Sequence, residues 1–152
     1  MPSQIYIASD HAGFLLKEHL ISWLQDKGYT VYDKGCSSRE SCDYPDYASL
    51  VAEAVASDRE TLGILVCGTG IGMSIAANKH PGVRAALCHD TYSAHLARAH
   101  NDSNVLCLGA NCIGPGIAEA IVHTWLQSSF LGDRHMRRVS KISVIESRRP
   151  GE

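Results

Sequence analysis

Short apolar runs alternate with longer stretches in which apolar residues recur every three or four positions, and the alternation repeats five times along the chain. Residues 5–9, 29–32, 62–66, 83–88 and 104–109 read as strands, the second from β-branched Thr30 and Val31 after the break at Gly28. The stretches between them have helical spacing. Leu16, Leu20, Trp23 and Leu24 mark the first, and Pro45 opens a second with Tyr47, Leu50, Val51, Ala54 and Val55 on a buried stripe. Ile75, Ala76 and Ala77 mark a short third over 73–79. A fourth runs over 91–100 with Leu96 facing inward, and Pro115 opens a fifth bearing Ile117, Ile121, Val122, Trp125 and Leu126.

Strand–helix alternation forces crossover connections. The expected fold is therefore α/β, a single domain over residues 1–152 built on a five-stranded parallel sheet with helices on both faces. With a flavodoxin-like strand order, 2-1-3-4-5, ligands would bind beyond the carboxyl ends of strands 1 and 3, where the order reverses. Gly132 and Asp133 then cap an extra C-terminal helix over 134–147, with Met136, Val139 and Ile142 at helical spacing. That helix either completes the domain or crosses onto a partner subunit. The loop over 33–44, rich in Ser, Gly and Cys, is long enough to be functional.

Composition narrows the field. At 152 residues the chain can bury a core sufficient for stability without metals or crosslinks. A net charge of −2 with 20% charged residues gives no global case for nucleic acid or a membrane as partner. Residues 1–10 lack a basic-then-apolar leader, and no stretch approaches the ~18 apolar residues of a membrane span, so a cytoplasmic protein is expected. The six cysteines include no Cys-x2-Cys pair, and Cys88 and Cys107 read as buried thiols, so a disulfide scaffold is not expected. His95 and His100 are five apart, which misses the spacing of two ligands on one helix face. Neither a metal nor a cofactor is expected.

The candidate chemistry concentrates at residues 67–72, Cys-Gly-Thr-Gly-Ile-Gly, a turn from strand to helix. Gly68, Gly70 and Gly72 let the backbone turn sharply and leave amides open to an oxyanion at the helix's positive end. Cys67 faces the same place, where the helix terminus stabilises a thiolate. The turn thus offers a base and an anion hole. Three familiar loops do not fit it. A dinucleotide fingerprint would need glycine at Met73, a P-loop would need Gly-Lys-Ser/Thr where Gly72-Met73-Ser74 stands, and a Cys-x5-Arg phosphatase loop would need arginine at position 73.

Asp10 and His11 end the first strand and Cys67, Gly68 and Thr69 the third, so both motifs reach one crevice. Singly, Asp10 reads as a helix cap, His11 as a turn residue and Cys67 as a packed thiol; their shared position favours function. Arg134 and Arg138, four apart, share a helix face and can converge on a phosphate, although such a pair also fits a solvated basic face. His100 ends the fourth helix and faces the edge where ligands bind, followed by Asn101 and Asp102. Its alternative role is a charge interaction with the helix C-terminus.

Together, Asp10-His11-Ala12-Gly13, Asp43-Tyr44-Pro45-Asp46-Tyr47-Ala48, residues 67–79 and His100-Asn101-Asp102-Ser103-Asn104, with Arg134 and Arg138, resemble the signature blocks of type B ribose-5-phosphate isomerase. The match spans essentially the whole chain in order. The wider family includes allose-6-phosphate isomerases and galactose-6-phosphate isomerase subunits. The resemblance implies a Rossmann-like domain and a homodimer or dimer of dimers, with active sites across the dimer interface. It also implies metal-independent aldose–ketose isomerisation of ribose 5-phosphate and ribulose 5-phosphate, a step of the pentose phosphate pathway.

Residue by residue, the resemblance implies that Cys67 moves a proton between C1 and C2 through a cis-enediolate while the amides of Gly68, Gly70, Ile71 and Gly72 hold the oxyanion. His100, with Thr69 nearby, would open the furanose ring. His11, Arg134 and Arg138 would hold the phosphate, and Asp10, Tyr44 and Asn101 the sugar hydroxyls. Met73 stands where another branch of the family uses a glutamate, which strengthens the assignment of Cys67 as base. Asn111 stands where many members carry an arginine that reaches the phosphate from the neighbouring subunit; it donates a hydrogen bond without charge. A six-carbon sugar phosphate is therefore the nearest rival substrate. The rival from another class is a non-catalytic nucleotide-binding module.

Overall fold

The computed structural model describes residues 4–148; residues 1–3 and 149–152 of the expected domain lie outside the described residues. Strands β1 (Gln4–Ser9), β2 (Thr30–Asp33), β3 (Thr61–Cys67), β4 (Ala85–Leu87) and β5 (Val105–Gly109) alternate with α1 (Phe14–Asp26), α2 (Tyr44–Ser57), α3 (Ile71–Ala77), α4 (Thr91–Ala99) and α5 (Pro115–Gln127). A sixth helix, α6 (Asp133–Glu146), follows. The strands form one all-parallel sheet, which is the α/β architecture that the alternation predicts.

The sheet order is β2-β1-β3-β5-β4, which corrects the expected 2-1-3-4-5. β5 lies beside β3, with Leu65 opposite Cys107, and β4 is the outer strand. Burial explains the exchange. Leu106 and Leu108 are fully buried, each contributing about 1.5–3 kcal/mol, whereas Ala85, Ala86 and Leu87 are only half-buried. The more apolar strand gains most from the inner position, and the short alanine-built strand takes the edge.

Side chains alternate between the two faces of the sheet. Ile5, Ile7, Ile64, Val66, Leu106 and Leu108 pack against Leu16, Leu20, Ile121 and Trp125 of α1 and α5. Ala8, Leu65, Cys67 and Cys107 point the other way, toward Val51, Val55 and Met73 of α2 and α3. Several positions depart from the helical stripes, and Ile75 of α3 and Ile117 of α5 are exposed. Leu50 is exposed, because Ala48, Val51, Ala52 and Val55 form the buried face of α2. Leu96 is only half-buried, and α4 approaches the sheet through Ala94, Ala97 and Ala99.

The last helix packs differently. The Leu131 N–H donates to the Ala99 carbonyl at 3.0 Å, and the Glu146 carboxylate accepts from the Gly82 N–H at 3.1 Å. Both anchors adjoin the segments that lead into β4 and β5, so α6 lies across the amino-terminal edge of the sheet. It buries His135 and Val139, while Met136, Ile142 and Ile145 are 52%, 47% and 63% exposed. Of the expected apolar trio on α6, only Val139 is covered by its own chain. A groove of about 960 Å³ runs beside α6, lined by Lys79, Arg84, Asn101, Ile142 and Ile145 among others. Among the described residues no helix is long and apolar enough to cross a membrane.

Candidate active site

β1 and β3 end side by side, with Ser9 opposite Val66. The turn after β1 hugs β3: the Asp10 N–H donates to the Val66 carbonyl at 3.2 Å, and a Cβ on Gly13 would stand 2.5 Å from that same oxygen. Only glycine lets α1 begin so close to the neighbouring strand. Asp10, almost fully buried, accepts from the Gly13 N–H through Oδ1 at 3.1 Å.

β3 runs directly into the glycine turn. The Gly70 N–H donates to Cys67 Sγ at 3.1 Å, and the Ile71 N–H donates to Thr69 Oγ1 at 3.3 Å. Two of the five amides from Gly68 to Gly72 are thus engaged within the turn, and only the others remain for a developing oxyanion. The Tyr44 ring lies against Gly72, and Asn111 Nδ2 lies over Gly68, whose carbonyl accepts from the Asn111 N–H at 3.0 Å. Burial pushes the Cys107 thiol far up and raises that of Cys88, so both stay uncharged thiols in the core.

His11 is held by the loop between β2 and α2. The Cys42 N–H donates to His11 Nδ1 at 3.2 Å, so the neutral ring carries its proton on Nε2. Burial raises the Cys42 thiol above its ordinary value, leaving it an uncharged neighbour. Asp33 pins the start of the loop. Its Oδ1 accepts from the Gly35 N–H at 2.8 Å, and both its oxygens accept from Lys17 Nζ at 2.7 Å. The structure therefore gathers Asp10, His11, Tyr44, Cys67, Thr69, Gly68 to Gly72 and Asn111 at the carboxyl edge.

His100, Asn101, Arg134 and Arg138 are elsewhere. A helix that follows a strand in a parallel sheet runs back toward the strand starts, and the end of α4 lies at that opposite edge. The Gly63 N–H donates to the Asn104 carbonyl at 2.9 Å and the Asn104 N–H to the Arg84 carbonyl at 3.0 Å, which ties the segment after His100 to the beginnings of β3 and β4. The length of β3, seven residues, sets that edge about 20 Å from Cys67. The expectation that His100 faces the ligand edge of its own chain is thereby corrected.

At the amino edge the His100 ring stacks on His135, with centroids 4.1 Å apart and planes inclined by 12°. His135 escaped the sequence reading, since nothing in Arg-His-x-x-Arg marks the histidine as more than a neighbour of the arginines. It is buried in the first turn of α6, between exposed Arg134 and Arg138. Burial, followed by the charges of His100, Arg134 and Arg138, holds His135 below its ordinary value, so it is neutral near pH ~7. One chain thus carries its candidate residues in two groups on opposite edges of one sheet. Among the described residues, no three His, Cys, Asp or Glu side chains gather as a metal ion would need.

The family model described as Ribose/Galactose Isomerase matches residues 5–142. Ribose-5-phosphate isomerase B of Escherichia coli is 49% identical over 146 residues, covering 96% of this chain and 98% of that protein. D-erythrulose-4-phosphate isomerase of Pectobacterium atrosepticum is 46% identical over 143 residues, covering 93% of this chain and 94% of that protein. The crystal structure of ribose-5-phosphate isomerase B from Mycoplasma genitalium with bound ribulose-5-phosphate is 42% identical with a TM-score of 0.93, covering 96% of this chain and 97% of that one.

Proposed function

The chain belongs to the ribose/galactose isomerase family, and we propose that it interconverts ribose 5-phosphate and ribulose 5-phosphate at sites each built from two copies of itself. The observation that carries this reading is the division of the candidate residues between opposite edges of the sheet. Neither edge alone holds both a base and a ring-opening group. A two-fold homodimer that turns the amino edge of each copy toward the carboxyl edge of the other completes two sites. Exposed Met136, Ile142 and Ile145, beside the groove along α6, provide the apolar surface that such an interface would cover. A dimer of dimers would repeat the same pair.

In that arrangement His100 of the partner subunit protonates the furanose ring oxygen as its bond to C1 breaks, and the O1 proton leaves along the hydrogen bond to the Thr69 hydroxyl and on to solvent water, so that O1 becomes the aldehyde oxygen. Cys67, as thiolate, then removes the C2 proton. The carbonyl oxygen gains the charge of the enediolate, and the amides left open in the turn hold it. Return of the proton to C1, with a proton passing from O2 to O1, gives the ketose. His11 donates through Nε2–H to the phosphate, together with Arg134 of the partner subunit and Arg138 of the partner subunit. Asp10, Tyr44 and Asn101 of the partner subunit contact sugar hydroxyls. The setting is the cytoplasmic pentose phosphate pathway.

The test is ketose formation from ribose 5-phosphate by purified protein in excess chelator, with Cys67→Ala alongside. Turnover that disappears in the variant supports the reading. Turnover confined to allose or galactose 6-phosphate would transfer the same chemistry to a longer sugar, as the uncharged Asn111 allows. No turnover of any sugar phosphate, with nucleotide binding by calorimetry, would replace the reading with a binding module.

A further inference from the structure

A general acid works only if its N–H is held near the accepting atom, within roughly 0.5 Å and 10–20° of productive geometry. His100 stands in a poor position for that. It is the residue that ends α4, with φ −106° and ψ −35°, and among the described residues its ring makes no hydrogen bond. Its backbone N–H still completes the helix through the Leu96 carbonyl at 2.8 Å, but nothing in the backbone fixes the side-chain torsions.

What the ring does touch is His135. The two imidazoles lie nearly parallel at 4.1 Å, a face-to-face contact that limits both rotation and tilt. His135 is itself firmly placed: it is 6% exposed, and its N–H donates to the Gly132 carbonyl at 2.9 Å. The Leu131–Ala99 hydrogen bond ties the start of α6 to the end of α4 a few residues away. Two stacked imidazolium rings would repel, and the buried ring flanked by Arg134 and Arg138 is the one that stays neutral.

We infer that His135 is a positioning residue for sugar ring opening, its buried imidazole serving as the plate that holds the ring of His100 in the plane from which it reaches the furanose oxygen. This rests on the reading of His100 as the ring-opening group. It assigns to His135 an effect on one step of the reaction and none on the other, because only the first step uses His100.

The two steps can be read separately. Ribose 5-phosphate is largely a closed furanose and must open before it reacts. Ribulose 5-phosphate is acyclic, and exchange of its C1 hydrogen into deuterium oxide needs only Cys67 and the turn. His135→Leu, which fills the space without an aromatic plane, should lower ribose 5-phosphate turnover by about tenfold or more while the exchange rate stays within about twofold. His135→Phe should restore most of the turnover. A parallel fall in both rates, or a His135→Phe variant no better than His135→Leu, would overturn the inference and leave His135 a packing residue.

His100→Asn measured in the same way separates the two levels of the argument. If it shows the split and His135→Leu does not, the positioning role fails alone. If His100→Asn lowers both rates equally or neither, the ring-opening role of His100 fails and takes the inference with it.

Discussion

Cys67 Sγ and the Gly70 N–H face each other at 3.1 Å across the turn that ends β3. Gly70 has φ 77°, and a Cβ there would meet Leu87 Cδ1 at 2.5 Å and the Leu108 carbonyl carbon at 2.9 Å. Both the conformation and the space exclude a side chain. Gly70→Ala should cost about 1–3 kcal/mol of stability in urea denaturation and lower kcat by about tenfold or more. Full turnover in a folded variant would show that this amide has no part in placing the thiol.

A site divided between two chains can be rebuilt from two broken ones. The Cys67→Ala and His100→Asn variants should each be nearly inactive alone. After subunit exchange at equal amounts, random pairing makes heterodimers in which one site carries both lesions and the other none, so activity should recover to about a quarter of wild type. If all the residues of a site came from one chain, mixing would restore nothing.

Arg134 and Arg138 lie one helical turn apart on the exposed side of α6 and make no ion pair among the described residues. Loss of one charge-assisted contact to phosphate removes about 1.5–3 kcal/mol of binding, so Arg134→Ala should raise KM about 10- to 100-fold with a smaller change in kcat. Steady-state kinetics at low salt would show it. An unchanged KM would remove Arg134 from the phosphate site.

Lys17 is fully buried, and its ammonium is held by Asp33 at 2.7 Å and by Glu18 at 3.1 Å. Removing Asp33 leaves that charge with a single exposed partner and also releases the Gly35 N–H that starts the loop holding His11. Asp33→Ala should therefore destabilise the fold by about 3 kcal/mol, against less than about 1 kcal/mol for Glu18→Ala. Comparable losses from the two variants in urea denaturation would contradict the unequal division.

The Ser93 N–H donates to Asp90 Oδ1 at 2.7 Å at the start of α4, and this bond, with that of the Ser93 hydroxyl, holds the Asp90 carboxyl below its ordinary value. A carboxyl depressed in the folded state stabilises the fold above its unfolded value, and the contribution is lost as pH falls through the folded one. Asp90→Asn should therefore lower Tm at about pH 7, and the deficit should shrink below about pH 4. A deficit independent of pH would assign the effect to shape rather than charge.

Much of the candidate site is legible in the chain because its parts are local. Cys67 to Gly72 is a continuous turn, and Asp10-His11 follows a strand whose partner is the strand before that turn. Crossover connections in a parallel sheet then bring both strand ends to one edge. His135 is a different case. Its partner lies 35 positions earlier, and the contact exists only because the ends of two helices meet under the sheet.

The pattern of apolar residues by itself determined the five strands, the helices between them and the crevice beyond β1 and β3, because those features follow from periodicity and from glycine in turns. Tertiary structure decided the rest. β5 rather than β4 lies beside β3 because the two compete for one buried position, and the outcome depends on the area each can hide. His100 and the arginines lie at the edge opposite Cys67 because helix direction, not sequence proximity to a motif, decides which end of the sheet a helix terminus reaches.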